Sequence, residues 1–345
     1  MKNILLLVAT IFLSSFSNAQ LKVTDLPVFY NNIDGNHIRS VDLIAGEEAP
    51  IVIYTTYLRP GVHCKKWNGS NWVTFGEFPE IKDRGFVDIE NNNGYKALVQ
   101  AGNIWSVYEL DEKAMKWNKV SSIDFKEESL LSEPTLTFNN GNPVIYEQHY
   151  RTKELHIFSQ KGTEIKALNL DGKDRIDSYF KYFYSDKNNE SVMAWINNKD
   201  VLEIFFVDSE GESKKSIKGF KKKDVKEIVE LKEHNGKYFL FWLDKSWDLR
   251  CSEYFPALSK WVEVVNQEKL GMISYNVAND NSLISVSRES ELCVYNKYNG
   301  KSWEKGEILG TEKTEKNKML KLIKIKGTNY YLSSDLDGNC VIRKY

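Results

Sequence analysis

His149-Tyr150-Arg151 is the one trio in this 345-residue sequence that sets a base, an acid and a carboxylate clamp side by side. Eliminative cleavage of a uronate chain needs those three roles. Arg neutralises the carboxylate, one group takes the α-proton, and another protonates the leaving oxygen. Adjacent residues on an extended strand end point to opposite sides, which works against all three meeting one substrate. Glycoside hydrolysis would need two carboxyls across a cleft. Glu133, Asp177 and Glu227 could supply them, but a chain with 48 acidic residues offers many such sets. No catalytic residue is assigned. Five histidines without a His-x-x-His or Cys-x-x-Cys spacing give no transition-metal signature. Asp335, Asp337 and Asn339, and the acids of 171–177, do not complete a twelve-residue calcium loop. Asp337-Gly338 reads as a hairpin turn. No metal and no cofactor is expected.

Binding chemistry remains. Tyr57 and Arg59 lie in the segment 57–61, His149, Tyr150 and Arg151 in 147–152, Trp247 in 244–247 and Arg288 in 287–290. Aromatic faces stack on sugar rings or clasp apolar side chains, and Arg pairs with carboxylates. These residues make one site only if the fold brings four distant segments to one surface.

A repeat supplies that fold. An apolar phrase recurs at Ile51–Tyr54, Ala97–Val99, Pro143–Tyr146, Val192–Trp195, Phe239–Trp242, Leu283–Val286 and Tyr330–Leu332. The spacing of about 44 to 49 residues is that of a propeller blade. The expectation is an all-β, seven-bladed β-propeller, one domain over 20–345. In that architecture the loops between second and third strands share a face with those entering the first strands. A second set, Arg39, Arg84, Glu133, Asp177, Glu227 and Lys321, precedes the first strands and would line the channel mouth, pairing mutually. In blade one the strands are expected over 40–45, 50–57, 62–67 and 72–78. Asn-Gly pairs at 68–69, 140–141, 235–236 and 299–300 mark hairpins. The seventh unit has three strands, from 320 to 345. Leu26–Tyr30 would complete it and close the ring, leaving no exposed edges.

Cys64, Cys251, Cys293 and Cys340 each fall in the third strand of their own blade. Packed sheets lie roughly 10 Å apart, whereas a disulfide wants Cα atoms about 5.5 Å apart. Free, buried thiols are expected. Lys214, Lys215, Lys218 and Lys221–Lys223 read as a solvated connection between blades four and five.

Lys and Arg number 47 against the 48 acids, so no global field favours nucleic acid. Residues 1–19 have the form of a signal peptide. Lys2 is followed by an apolar run from Ile4 to Phe16, then Ser17-Asn18-Ala19, with Gln20 as mature N-terminus. That run is too short for a membrane span, and no later one suffices. An exported monomer, periplasmic or extracellular, is expected.

Lys66-Trp67-Asn68-Gly69-Ser70-Asn71-Trp72 and Lys297-Tyr298-Asn299-Gly300-Lys301-Ser302-Trp303 resemble outer hairpins of secreted bacterial β-propeller repeat proteins. The WD40, kelch and sialidase signatures are not matched. The resemblance implies a scaffold and export, not an activity. The reading is an exported binding module for a glycan or an envelope or extracellular protein. A polysaccharide lyase or glycosidase on the same scaffold, and a purely structural envelope protein, are the alternatives.

Overall fold

The computed structural model describes residues 24–30, 37–81, 85–91, 94–102, 104–124, 135–139, 142–148, 155–161, 164–169, 180–185, 190–196, 201–208, 214–234, 236–246, 249–255, 260–267, 274–277, 283–289, 292–298, 303–304, 308–310, 318–334 and 340–344. These residues are all-β, in antiparallel sheets. Sheet one is β2 (Ile38–Ala45), β3 (Pro50–Thr56), β4 (His63–Trp67) and β5 (Trp72–Thr74). Sheet two is β6 (Val87–Asn91), β7 (Tyr95–Ala101), β8 (Ile104–Asp111) and β9 (Lys116–Asp124). Sheet three runs β10 (Thr135–Asn139), β11 (Asn142–Gln148), β12 (Leu155–Lys161) and β13 (Glu164–Asn169). Sheet four is β14 (Phe180–Ser185), β15 (Glu190–Ile196), β16 (Leu202–Asp208) and β17 (Lys214–Lys222). Sheet five is β18 (Val225–His234), β19 (Lys237–Asp244), β20 (Leu249–Phe255) and β21 (Lys260–Gln267). Sheet six holds β22 (Ser274–Val277), β23 (Leu283–Glu289), β24 (Leu292–Tyr298), β25 (Trp303–Glu304) and β26 (Ile308–Gly310). Sheet seven is β27 (Lys318–Ile325), β28 (Thr328–Ser334) and β29 (Cys340–Lys344), with β1 (Thr24–Asp25) alongside β29.

First strands abut in succession. β2 meets β6, β6 meets β10, and β14, β18, β22 and β27 follow until β27 meets β2. Each sheet is therefore covered on both faces, and its second strand reads as a continuous apolar run. All seven residues of β3 are buried. Between sheets one and two, Ile51, Ile53, Cys64 and Phe75 pack on Ile89, Tyr95, Ala97 and Trp117. Between sheets four and five, Val192, Ala194 and Phe206 share a core with Ile228, Leu240 and Trp242.

Three expected elements differ. β1 lies two residues before the expected outer strand. Thr24 opposes Lys344, Asp25 opposes Arg343, and the Leu26 N–H donates to the Ile342 carbonyl at 2.8 Å. Leu26, Phe29 and Tyr30 then leave the sheet and bury themselves between sheets seven and one. β5 stops at Thr74 instead of 78 because Gly76 turns the chain with φ +79°. A Cβ there would lie 2.5 Å from Leu110 Cδ1 and 2.7 Å from Trp117 Nε1. The turn carries the chain onto sheet two, where Glu77 N–H donates to Met115 O and Trp117 N–H to Glu77 O. The Asn68-Gly69 hairpin forms as its sequence requires. Asn68 Oδ1 accepts from the Ser70 and Asn71 N–H groups, and Gly69 takes φ +99°. The lysine-rich stretch from 214 to 222 is strand β17 rather than a connection.

Cys64, Cys251 and Cys340 are buried, free and in third strands. Burial raises the thiols of Cys64 and Cys251. Native protein should resist iodoacetamide, and denatured, unreduced protein should take four labels by mass spectrometry. Two or more blocked thiols in the denatured sample would mean bridges across the sheets.

Candidate functional site

The strands that abut one another carry charge. Lys321 Nζ on β27 donates to Asp42 Oδ1 on β2 at 2.6 Å. Asp42 Oδ1 also accepts from the Leu43 N–H at 2.8 Å, and Oδ2 from the Ile89 N–H of β6 at 3.0 Å. One repeat later, Asp88 Oδ2 accepts from the Leu136 N–H of β10 at 2.8 Å. Ser40 Oγ exchanges hydrogen bonds with the N–H and C=O of Val87. Each carboxyl thus ties one sheet to the next.

These groups titrate against one another. Burial raises the Asp88 carboxyl well above the usual range, and the neighbouring Asp42 raises it further. Burial also works against ionised Asp42, but the Lys321 charge and hydrogen bonds from Asp88, Lys321 and the Ile89 N–H hold it below the usual value. Burial raises Glu90, against the pull of Lys321. Desolvation disfavours the Lys321 ammonium, and Asp42, Glu90 and Asp88 more than offset that, leaving it raised. A protonated carboxyl beside an ionised one is the pairing acid–base chemistry uses where substrate can reach it. Here Asp88 is 9% exposed and both carboxyls accept from main-chain N–H groups. The arrangement is a stitch.

Lys321 was expected before its strand. It lies inside β27, as Arg39 lies inside β2 and Glu227 inside β18. Arg84, Glu133 and Asp177 lie outside the described residues. Asp42 and Asp88 were not foreseen. The available signal was an acid between two apolar residues at the same repeat position of two first strands, Val41-Asp42-Leu43 and Val87-Asp88-Ile89.

Tyr57 and Arg59 stand on the loop from β3 to β4. Tyr57 is 52% exposed and Leu58 53%, with Arg59 exposed beside them. The Tyr57 N–H donates to the His37 carbonyl at 3.0 Å, which pins the loop against the start of β2. The Arg39 guanidinium lies 6.0 Å from the Tyr57 ring centroid. Thr56 Oγ1 donates to Arg59 O at 3.1 Å and fixes the loop's turn. An aromatic ring and two arginines thus share one exposed end of the first strand. His149, Tyr150, Arg151 and Trp247 lie outside the described residues. Arg288 is not on a loop. It lies in β23 opposite Cys293, because Glu289 pairs with Leu292 and leaves only two residues for the turn.

Where β5 ends early, a cleft of about 290 Å³ opens between Val62–Lys65 and a wall of Thr74, Gly76, Glu77 and Phe78. The His63 ring stacks on Tyr54 with centroids 5.0 Å apart. Burial lowers its titration, and the charges of Lys65 and Arg59 lower it further. Among the described residues no His, Cys, Asp or Glu side chains converge three together as a metal site would need. No described helix is long and apolar enough to cross a membrane.

No protein-family model matches the sequence, and no curated protein matches it. Solved structures do. An oligogalacturonate lyase from Vibrio parahaemolyticus superposes with TM-score 0.58 at 10% identity, over 90% of this chain and 97% of that one. The BP39L lectin from Burkholderia pseudomallei gives 0.56 at 11% identity, over 89% and 95%. YCF48, solved bound to D1 peptide, gives 0.55 at 10%, over 94% and 96%. At these identities the likeness is one of fold. The chain resembles β-propeller proteins, and its antiparallel sheets correspond to blades.

Proposed function

We propose that this protein is an exported glycan-binding module, a single-domain, seven-bladed β-propeller closed by its N-terminal strand. Seven sheets, the unbroken circuit of first strands and the pairing of β1 with β29 support the blade count and the closure. The form of residues 1–19 supports export to the periplasm or the extracellular space. The observation that carries the binding reading is the exposed Tyr57 ring flanked by Arg39 and Arg59 beside the first strand. An exposed aromatic face stacks on a sugar ring, and a guanidinium holds its hydroxyls or a carboxylate. A lectin among the similar folds is consistent with that ligand class. His149, Tyr150, Arg151, Trp247 and Arg288 are the proposed extensions of the site on other blades.

A glycan array followed by calorimetry on the best hit tests this. Tyr57→Ala should weaken binding by roughly 1–3 kcal/mol, on the scale of measured base–aromatic stacking. Arg59→Ala should weaken it by a similar amount, and neither should move the melting temperature by more than about 2 °C, as befits exposed residues. Unchanged affinity in both variants would remove the site. The enzyme alternative shares the ligand class. Formation of an unsaturated uronate from a polyuronate, abolished in His149→Ala, would favour it.

A further inference from the structure

We infer that the saccharide this protein binds is anionic: a sugar bearing a carboxylate, which Arg39 and Arg59 hold while a ring stacks on Tyr57. The inference deepens the glycan reading and rests on it, since it names the charge of the ligand at that same site.

The state of the guanidinium groups carries the argument. Arg250 is paired with Asp244 at 2.9 Å and reaches Glu263 at 3.7 Å. Arg343 is paired with Asp25 at 2.8 Å. Arg39 and Arg59 are both exposed, and neither has an ion pair among the described residues. Arg39 rests on the Tyr57 ring, with its guanidinium carbon 6.0 Å from the centroid. A guanidinium presents a planar fork of donors, which a carboxylate fills with two parallel hydrogen bonds. Main-chain bonds hold the site in place before anything binds. The Tyr57 N–H donates to His37 O beside Arg39, and Thr56 Oγ1 donates to Arg59 O. Groups fixed in advance lose little freedom on binding.

The surroundings leave that charge unbalanced. Thr55 Oγ1 donates to Gly85 O at 2.8 Å and the Gln100 N–H to Phe86 O at 2.9 Å, so sheets one and two end together here. The described residues of this end, 37–39, 57–62, 85–86 and 100–102, contain no acid. The opposite end differs, with Glu47, Glu48, Asp111 and Glu112 against Lys113 in 46–49 and 111–113. The positive field extends to His63, whose titration is lowered by burial and then by Lys65 and Arg59. Lys65 is not counted in the ligand's grip, because its Nζ already donates to the Phe29 carbonyl. A neutral sugar laid on Tyr57 would cover two cations without supplying a counter-charge, which costs free energy. A carboxylate offsets that cost.

Calorimetry on the full mature chain tests this with two uronate trimers, trigalacturonate and trimannuronate, each beside its methyl ester. The ester keeps the sugar and removes the charge. At least one acid should bind about tenfold or more tighter than its ester, and added salt should reduce that ratio because exposed charges are screened. Arg39→Gln with Arg59→Gln should bring the ratio close to one. Arg59→Gln alone leaves the contact of Arg39 with Tyr57 in place, and should reduce the ratio about threefold or more. Tyr57→Ala should weaken acid and ester alike and preserve the ratio. Equal affinity for acid and ester would overturn the inference, and so would a ratio that survives both arginine substitutions. If Tyr57→Ala still weakened those ligands, the saccharide reading would stand without the carboxylate. Failure of both acids to bind would overturn the inference too, and the glycan array with its own Tyr57 test would decide the saccharide reading separately.

Discussion

Removing residues 24–30 is expected to destabilise this protein more than any single surface change. The segment has two functions within seven residues. Thr24 and Asp25 extend sheet seven, and Asp25 Oδ1 accepts from Arg343 Nε at 2.8 Å. Leu26, Phe29 and Tyr30 then fill the space between sheets seven and one. Phe29 is 1% exposed, with its ring 5.3 Å from Tyr54 and 5.8 Å from Trp72. Its carbonyl accepts from Lys65 Nζ, and the Pro27 carbonyl accepts from Trp72 Nε1 at 2.7 Å. Tyr30 Oη accepts from the Cys340 N–H at 3.2 Å. Phe29→Ala alone should cost about 3–5 kcal/mol, as buried aromatic truncations do. The deletion should cost at least as much. Val28, 62% exposed in the same segment, is the control, and Val28→Ala should stay within about 0.5 kcal/mol. Urea midpoints decide it. Equal effects at 28 and 29 would show that the segment is not a wedge.

The second large effect separates two aspartates that look alike in sequence. Asp42→Asn leaves the Lys321 ammonium without its closest counter-charge. Orphaning one member of a buried pair costs about 3–5 kcal/mol, and the 26% exposure of the Lys321 side chain reduces that to about 2–3. Asp88→Asn should behave oppositely. The folded state raises Asp88, so its carboxyl keeps a proton that the unfolded chain gives up. Its contribution is full below the unfolded carboxyl value and is lost as pH rises through the folded one. Asp42, lowered in the folded state, contributes above the unfolded value and is lost as pH falls through the folded one. Asparagine reproduces the protonated form of Asp88. It can accept from the Leu136 N–H and donate to Asp42. Asp88→Asn should therefore equal or exceed the unaltered protein at pH 8 and flatten the loss of stability above pH 4. A cost as large as that of Asp42→Asn at pH 8 would refute the shared-proton account.

The period was legible because sheets covered on both faces turn each second strand into an unbroken apolar run, as in β3 and β19. The hairpins were legible because Asn68-Gly69 carries its own turn chemistry. What escaped depended on distant partners. Gly76 ends β5 because of Leu110 and Trp117, more than thirty positions away. The outer strand of sheet seven slipped by two residues because Leu26–Tyr30 is apolar for a core, not for a ladder. Arg288 was placed on a loop because turn length cannot be read from Ser287–Ser290 alone. Of the foreseen binding residues, Tyr57 and Arg59 stand where the β3–β4 loop was expected to put them. The carboxyls of Asp42 and Asp88 went unnoticed because a search for apolar repetition passes over polar repetition.

The pairing of β1 with β29 also governs the order of assembly. Thr24 and Lys344 oppose one another across 320 positions of chain. Joining such remote segments carries the full loop-closure entropy before any contact compensates for it, and contacts of this separation slow folding. Sheets two to five draw their strands from single continuous stretches and can form as each stretch becomes available. Sheet seven cannot, because its edge is among the first segments made and its middle among the last. Until they meet, Leu26, Phe29 and Tyr30 have no place to bury themselves, and the apolar faces of sheets one and seven stand open to water. The pairing of β1 with β29 is thus expected to form late, and the chain before that pairing is expected to be more open to proteolysis and self-association than the folded protein.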